Sequence, residues 1–560
     1  MLDQVVPGYY QRLDATGNVQ TSTCCQNVAT EHQVAQKLMV DSVVTWAREY
    51  KVDGFRFDLM GHHSRANMEA IREALDELTL KKDGVDGKSI YLYGEGWNFG
   101  EVANNALFYQ ATQGQLGGTG IGTFNDRLRD GVHGGSPVRD STYEQGFGTG
   151  LETDPNGQPV PADARNLGQQ TDLVKIGLTG NLRDFQFEGY DGVVKTGDEV
   201  DYNGAPAGYA DEPDETINYV DAHDNHTLYD LSVLKLPVDT TMADRVRMNT
   251  LQLATVTLSQ SPSFWHAGTE LLRSKSLDRN SYNSGDWFNR IDWTGQESTF
   301  GSGLPPKADN ENLWPIYQPL LANPALKPGP ADMAAAEASA LDLLRVRDEV
   351  DLLRLGSADL IEQKVSFPNS GTDATPGVIV MLIDDLLGKD VDPSLEGALV
   401  VFNASPEATT QAIPALAGRG FALTPALATG ADAVVKTTTW DAATGSVTVP
   451  ARSVAVLVDR QPVKTSLYAA PTKLIASFGT PVKVIGKVVA ADGSAPEGTV
   501  TVTENGKVLA TAPLAAAAKG TVSLALPKLS RGSHILRVSF TGADGWLDSK
   551  SVVPLPVLIL

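Results

Sequence analysis

Three observations predict a multidomain chain, α/β in its first part and all-β in its second. Helical and strand patterns alternate through roughly the first half, short apolar strands take over beyond Leu344, and a last unit of about 85 residues alternates apolar with polar side chains.

In the first part Val34, Leu38, Val43, Trp46 and Tyr50 recur at helical spacing, ahead of a strand holding Phe55 and Phe57. Met68, Ile71, Leu75 and Leu78 form a second stripe, followed by the strand SIYLYGEGW. Further strands are expected at 121–124, 217–220 and 263–265, with a helix at 242–258 between the last two. Right-handed crossovers would make such a βα alternation a parallel sheet. The stretch 126–220 is long for one repeat and rich in Gly, Asp, Asn and Pro, so it reads as loops that shape a cleft.

A helix rich in Ala and Leu is expected around 334–344, before the strands VIVMLI, GALVVFNAS and SVAVLVD. A linker is expected near 461–471. Beyond it VKVIGKVVA, GTVTVTENGKVLATAP, GTVSLALP and HILRVSF alternate at period two, with Asn505-Gly506 as a hairpin turn, which predicts an immunoglobulin-like β-sandwich. The terminal PLPVLIL is too short for a membrane anchor and reads as a final strand or a frayed end.

The chain has 560 residues, 42% hydrophobic and 20% charged, which argues for folded domains over disorder. A formal charge of −23 with no cluster of Lys and Arg argues against nucleic-acid and anionic-membrane partners, while a neutral polysaccharide would not be repelled. No apolar run reaches the roughly 18 to 20 residues that span a bilayer, and no signal peptide is visible. Cys24 and Cys25 are the two cysteines; a vicinal disulfide would be strained, and they have no His or Cys neighbours at zinc-ligand spacing.

The chemistry concentrates in three motifs. GFRFDLMGH places Arg56 and Asp58 two residues apart at a strand end, so they share a face and the guanidinium keeps the carboxylate ionised and oriented. YLYGEGW puts Glu95 at the end of another apolar run, and INYVDAHDN does the same with His223 and Asp224. Acids that repeatedly follow strands suit a parallel barrel, which gathers its reactive groups at the carboxyl ends of its strands.

These motifs resemble the second, third and fourth shared regions of the α-amylase superfamily, glycoside hydrolase family 13, in their pullulanase form. VVPGYYQRLDATGNVQTSTCCQN, GTGIGTFNDRLRDGVHGG, VDYNGAPAGYADEP and ELLRSKSLDRNSYNSGDWFNRIDW extend the resemblance from residue 1 to about residue 460. The DVVYNH and YNWGYDP forms of that family are absent, so the resemblance implies a chain that starts after the third of eight barrel strands. The implied domains are a partial (β/α)8 TIM barrel with strands 4–8 over 1–350, an all-β domain of the amylase type over 351–462, and a bacterial Ig-like sandwich over 463–560, which reads as a spacer.

The resemblance implies a retaining hydrolase of α-1,6 branch linkages in pullulan, amylopectin, glycogen or limit dextrins. Asp58 would be the nucleophile, Glu95 the general acid and then base, and Asp224 the third acid gripping sugar hydroxyls. Arg56, His223, Trp97, Asn225, His62, Asp286 and Trp287 would bind substrate. The alternatives are an incomplete fragment or α-glucan-binding remnant lacking strands 1–3, and an α-1,4-acting amylase. No cofactor or metal is required by this chemistry, and calcium would be a structural ion. The family implies an extracellular or cell-surface setting, and exposed strand edges imply either poor solubility or association with a separate chain supplying the missing barrel half.

Overall fold

The computed structural model describes residues 3–23, 25–137, 141–543 and 545–560; Cys24, and with it the pairing considered for the two cysteines, lies outside them. The chain divides into two compact units, one of residues 1–392 with 397–459, the other of 393–396 with 460–560.

The first unit is built on short parallel strands, β1 (Gly54–Phe57), β2 (Tyr91–Gly94), β3 (Gly122–Phe124) and β4 (Thr216–Ile217), in that spatial order. Register is continuous: Phe57 lies opposite Gly94, Tyr93 opposite Gly122, and Thr123 opposite Thr216. The strand expected at 263–265 joins through one parallel bridge, Asn218 to Ser263, with Phe264 N–H donating to Asn218 O at 2.9 Å. Among the described residues β1 pairs on one side, with β2.

Helices cross between the strands, and their starts follow capping chemistry. The side chains of Ser64, Asn125, Thr227 and Thr241 accept amide hydrogen bonds at the starts of α2 (Arg65–Asp76), α3 (Asp126–His133), α5 (Leu228–Lys235) and α6 (Met242–Thr257); α4 (Leu167–Leu178), between α3 and α5, is capped by Asn166. The stripe Met68, Ile71, Leu75 and Leu78 is buried as its spacing demands, against Phe57, Met60 and Leu92. The other expected stripe is buried only at Val43. In α1 (Gln33–Tyr50) the buried positions are Ala35, Val43 and Ala47, small enough to let the helix lie against α2, whereas Leu38, Trp46 and Tyr50 are 47%, 49% and 65% exposed.

The stretch 126–220 also differs from its reading as loop. It holds α3 and α4, both heavily buried, and two small hairpins, Gln186–Glu188 with Val194–Thr196 and Asp201–Tyr202 with Ala205–Pro206. Part of its Gly and Asn content makes turns, as at Asn203 (φ 55°) and Gly204 (φ 81°).

The helix Pro330–Glu349 precedes two antiparallel sheets that enclose Val380, Leu399, Val401, Val447 and Leu457. Val378–Asp384 and Leu395–Asn403 are buried on both faces, which explains their unbroken apolar runs.

The second unit is a β-sandwich. Thr465–Pro471, Lys483–Ala490 and Thr521–Ala525 form one sheet; Gly498–Glu504, Lys507–Leu514, Gly532–Gly542 and Leu555–Ile559 belong to the other. Val484, Val488, Val500, Leu536, Val538 and Phe540 fill the space between. The expected linker 461–471 is therefore the opening strand from Thr465 onward; it is an edge strand, where the missing N–H of Pro471 is tolerated. Asn505 (φ 49°) and Gly506 (φ 81°) make the tight hairpin turn, and PLPVLIL supplies the final strand.

Candidate active site

β1 and β2 end side by side, and their backbones continue to approach beyond the last paired residues. Glu95 N–H donates to Phe57 O at 3.3 Å, and Gly61 N–H donates to Glu95 O at 2.9 Å. Two glycines permit this: a Cβ at Gly61 would lie 2.0 Å from Trp97 O, and one at Gly94 2.5 Å from Phe57 O. Leu59 turns through φ 44°, and its N–H donates to Glu95 Oε2 at 2.8 Å.

Arg56 spans the two acids. Its Nη1 lies 2.6 Å from Asp58 Oδ1 and its Nη2 3.2 Å from Glu95 Oε2, with the guanidinium over the Phe124 ring. Glu95 is buried, while the Asp58 side chain is 70% exposed. Phe124 is the hub of an aromatic cluster, with Tyr93, Tyr219 and Phe264 edge-on to it at 5.2 to 5.7 Å between centroids. Trp97 and Ala222 pack half-buried on that cluster, which draws the second and third motifs to Arg56.

The third motif divides by burial. Asp221 is 3% exposed; its Oδ2 accepts from Leu228 N–H at 3.0 Å and lies 3.3 Å from His266 Nδ1, whose other ring nitrogen is 2.9 Å from Arg273 Nη1. That relay identifies Nδ1 as the donor and Nε2 as the acceptor on His266. His223 and Asp224 stand out from it, 63% and 57% exposed, with Nε2 3.7 Å from Oδ1, and Asn225 follows at φ 63°. Ala222, two residues before Asp224, packs on the Phe124 cluster, and the charged or titratable side chain beside the Asp224 carboxylate is that of His223.

His62 is not on the open surface beside Asp58. It is 6% exposed, edge-on to Phe99 at 4.6 Å, and burial lowers its pKa. Its backbone carbonyl accepts from Arg12, which also pairs with Glu31 and Glu101, so the early segment folds over this side. His63 is buried too, 3.0 Å from Asn67 Oδ1, its pKa pushed down to about 4 by burial. Asp286 opens the one-turn helix Asp286–Asn289; Trp287 is 57% exposed, and its indole N–H donates to Ser302 O.

Lys275, Asp230, His266 and Arg273 went unmarked in the sequence. The SKSLDRNSY run carried a signal in its density of polar residues, yet only the fold shows that Lys275 Nζ donates to His223 O at 3.0 Å. Among the described residues no group of three or more His, Cys, Asp or Glu side chains is placed to hold a metal ion, and no helix is long and apolar enough to cross a membrane.

Residues 295–460 match the family described as alpha-1,6-glucosidases, pullulanase-type, C-terminal, and 467–557 match the bacterial Ig-like domain (group 3). The chain is 44% identical over 468 residues to Pullulanase 1, chloroplastic, of Arabidopsis thaliana, covering 82% of this chain and 48% of that protein. It is 40% identical over 463 residues to a pullulanase of Klebsiella pneumoniae, covering 82% and 41%. The chain belongs to the pullulanase family.

Among solved pullulanases, PulA from Klebsiella oxytoca superposes with a TM-score of 0.76 at 40% identity, covering 82% of this chain and 43% of that one. A maltotriose complex of PulA from Klebsiella pneumoniae gives 0.76 at 39% identity, covering 82% and 49%. The chain therefore spans less than half the length of these pullulanases.

Proposed function

We propose that this pullulanase-family chain carries the reactive groups of a retaining glycoside hydrolase acting on α-1,6 branch linkages in pullulan, amylopectin, glycogen or limit dextrins. The observation that supports it is the grip of one guanidinium, Arg56, on Asp58 and Glu95 at the ends of adjacent parallel strands. Asp58 attacks the anomeric carbon and forms a glycosyl-enzyme as the bond to the leaving oxygen breaks; Glu95 delivers a proton to that oxygen, then takes one from the water that releases the sugar. For that, Glu95 keeps Oε1 outside the Arg56 and Leu59 contacts, both of which fall on Oε2. Asp224 and His223 hold sugar hydroxyls from the facing loop, and Trp97, Asn225, Asp286 and Trp287 extend the surface for further glucose units. Carboxylates suffice for this chemistry; calcium would serve loop structure, and the setting proposed is extracellular or at the cell surface, unlike the plastid named for the Arabidopsis relative.

A second reading is favoured by the exposure of Asp58, His223 and Asp224 and by the pairing of β1 on one side among the described residues. Hydrolysis gains from a water-excluding site, so these 560 residues by themselves would bind α-glucan and need further strands beside β1 to turn it over. Reducing-sugar release from pullulan by the 560-residue chain separates the readings, with Asp58→Asn and amylose as controls. Release by the wild type alone supports debranching; saturable maltotriose binding without release supports the second reading; release from amylose alone indicates an α-1,4-acting amylase.

A further inference from the structure

We propose that Lys275 is a positioning residue that sets the loop bearing His223 and Asp224 and couples it to the loop bearing Trp287. The role assigned to those residues rests on the hydrolase reading above; the coupling itself rests on geometry.

The Lys275 side chain is 1% exposed, and its ammonium donates to His223 O at 3.0 Å. The backbone beneath it is pinned by Asp230, which is fully buried and accepts from Ser274 Oγ at 2.5 Å, Lys275 N–H at 2.8 Å and Leu277 N–H at 3.3 Å. Ser276 and Leu277, at φ 53° and 64°, hold left-handed conformations that side chains disfavour, so the segment keeps its shape because Asp230 dictates it. Ser276 Oγ then donates to Gly303 O at 2.7 Å, beside the Ser302 carbonyl that receives the Trp287 indole.

One pinned turn thus reaches both ways, to His223 through the lysine and to Trp287 through the serine. A neutral donor could satisfy a carbonyl without the cost of burying an ammonium. Burial lowers the pKa of this ammonium and Arg273 adds to that, while Asp230, Asp278 and Asp224 act in the opposite sense and favour the charged form. Lys275 touches backbone and not sugar, so its effect on turnover is exerted through His223 and Asp224.

The test compares Lys275→Met and Lys275→Arg in the 560-residue chain, by pullulan kinetics, thermal melting and amide hydrogen exchange across 222–226. The expected result for Lys275→Met is a kcat about a hundredfold lower with KM little changed, recovery in Lys275→Arg, and faster exchange at 222–226 but not in β1. Unchanged exchange and unchanged kcat in folded Lys275→Met overturn the proposal. Should the methionine variant not fold, Lys275→Gln is scored by the same criteria. If the wild type releases no sugar from pullulan, the hydrolase reading fails, while exchange at 222–226 still decides the positioning role.

Discussion

Arg56 Nη2 lies 3.2 Å from Glu95 Oε2, an ion pair that joins the ends of two strands whose residues are 39 positions apart in sequence. With the other arm of the fork on Asp58, the guanidinium orients both acids at once. A lysine at 56 brings one point charge and cannot fork. Arg56→Lys should therefore lower kcat on pullulan by about 10- to 100-fold, the equivalent of about 1.5–3 kcal/mol for a charge-assisted hydrogen bond, with the melting temperature nearly unchanged. A variant with wild-type kcat would show that one arm is enough.

Gly61 is fixed by space. A methyl there would press on Trp97 O at 2.0 Å and drive the Asp58 turn away from the Glu95 strand. Gly61→Ala should cost about 1–3 kcal/mol in urea unfolding of the first unit. A loss below about 0.5 kcal/mol, the scatter of ordinary surface changes, would mean that the turn relaxes freely.

Acid sensitivity should arise in part from His63. Its folded pKa of about 4 lies below the ordinary 6.5, so the folded state prefers the neutral ring and the unfolded chain binds the proton first. This contribution is fully present above about pH 6.5 and is lost as pH falls toward 4, at about 1.4 kcal/mol per pH unit. His63→Gln should flatten the stability curve by one proton between those pH values, measured against wild type by urea titration at several pH values. Parallel curves would remove His63 as the source.

Lys364 and Asp385 form an ion pair at 2.8 Å with side chains 0% and 1% exposed, and Asp385 also accepts from Val391 and Asp392 N–H. Asp385→Ala leaves an ammonium buried without its counter-charge and should cost about 3–5 kcal/mol. Lys364→Met together with Asp385→Ala should recover part of that loss, and a double variant no better than the single one would point to the two amide bonds instead.

The sequence carried the alternation of helices and strands because burial imposes a period, as at Met68, Ile71 and Leu75. It carried Asp58, Glu95 and Asp224 as candidates because acids recur after apolar runs. It misled where periodicity had no packing partner: Trp46 and Tyr50 fall on helical spacing, yet α1 is seated by Ala35, Val43 and Ala47. It was silent where contacts are long-range, as between Lys275 and His223 or Asp221 and His266, since a carbonyl acceptor or a buried carboxylate has no local signature. The polar content of 126–220 concealed α4, whose burial of Gln170, Asp172 and Lys175 makes it look like loop composition.

The register of β1 and β2 has a consequence for how such a chain can diversify. Phe57 faces Gly94, so Asp58 and Glu95 are each the next residue along neighbouring strands, whose axes stand about 4.8 Å apart by backbone hydrogen bonding alone. The sheet works as a ruler for the two acids. Insertions in the crossover between them, or in any loop around the rim, can change which ligand is admitted without altering that interval, whereas a one-residue slip of either strand would turn one acid to the opposite face.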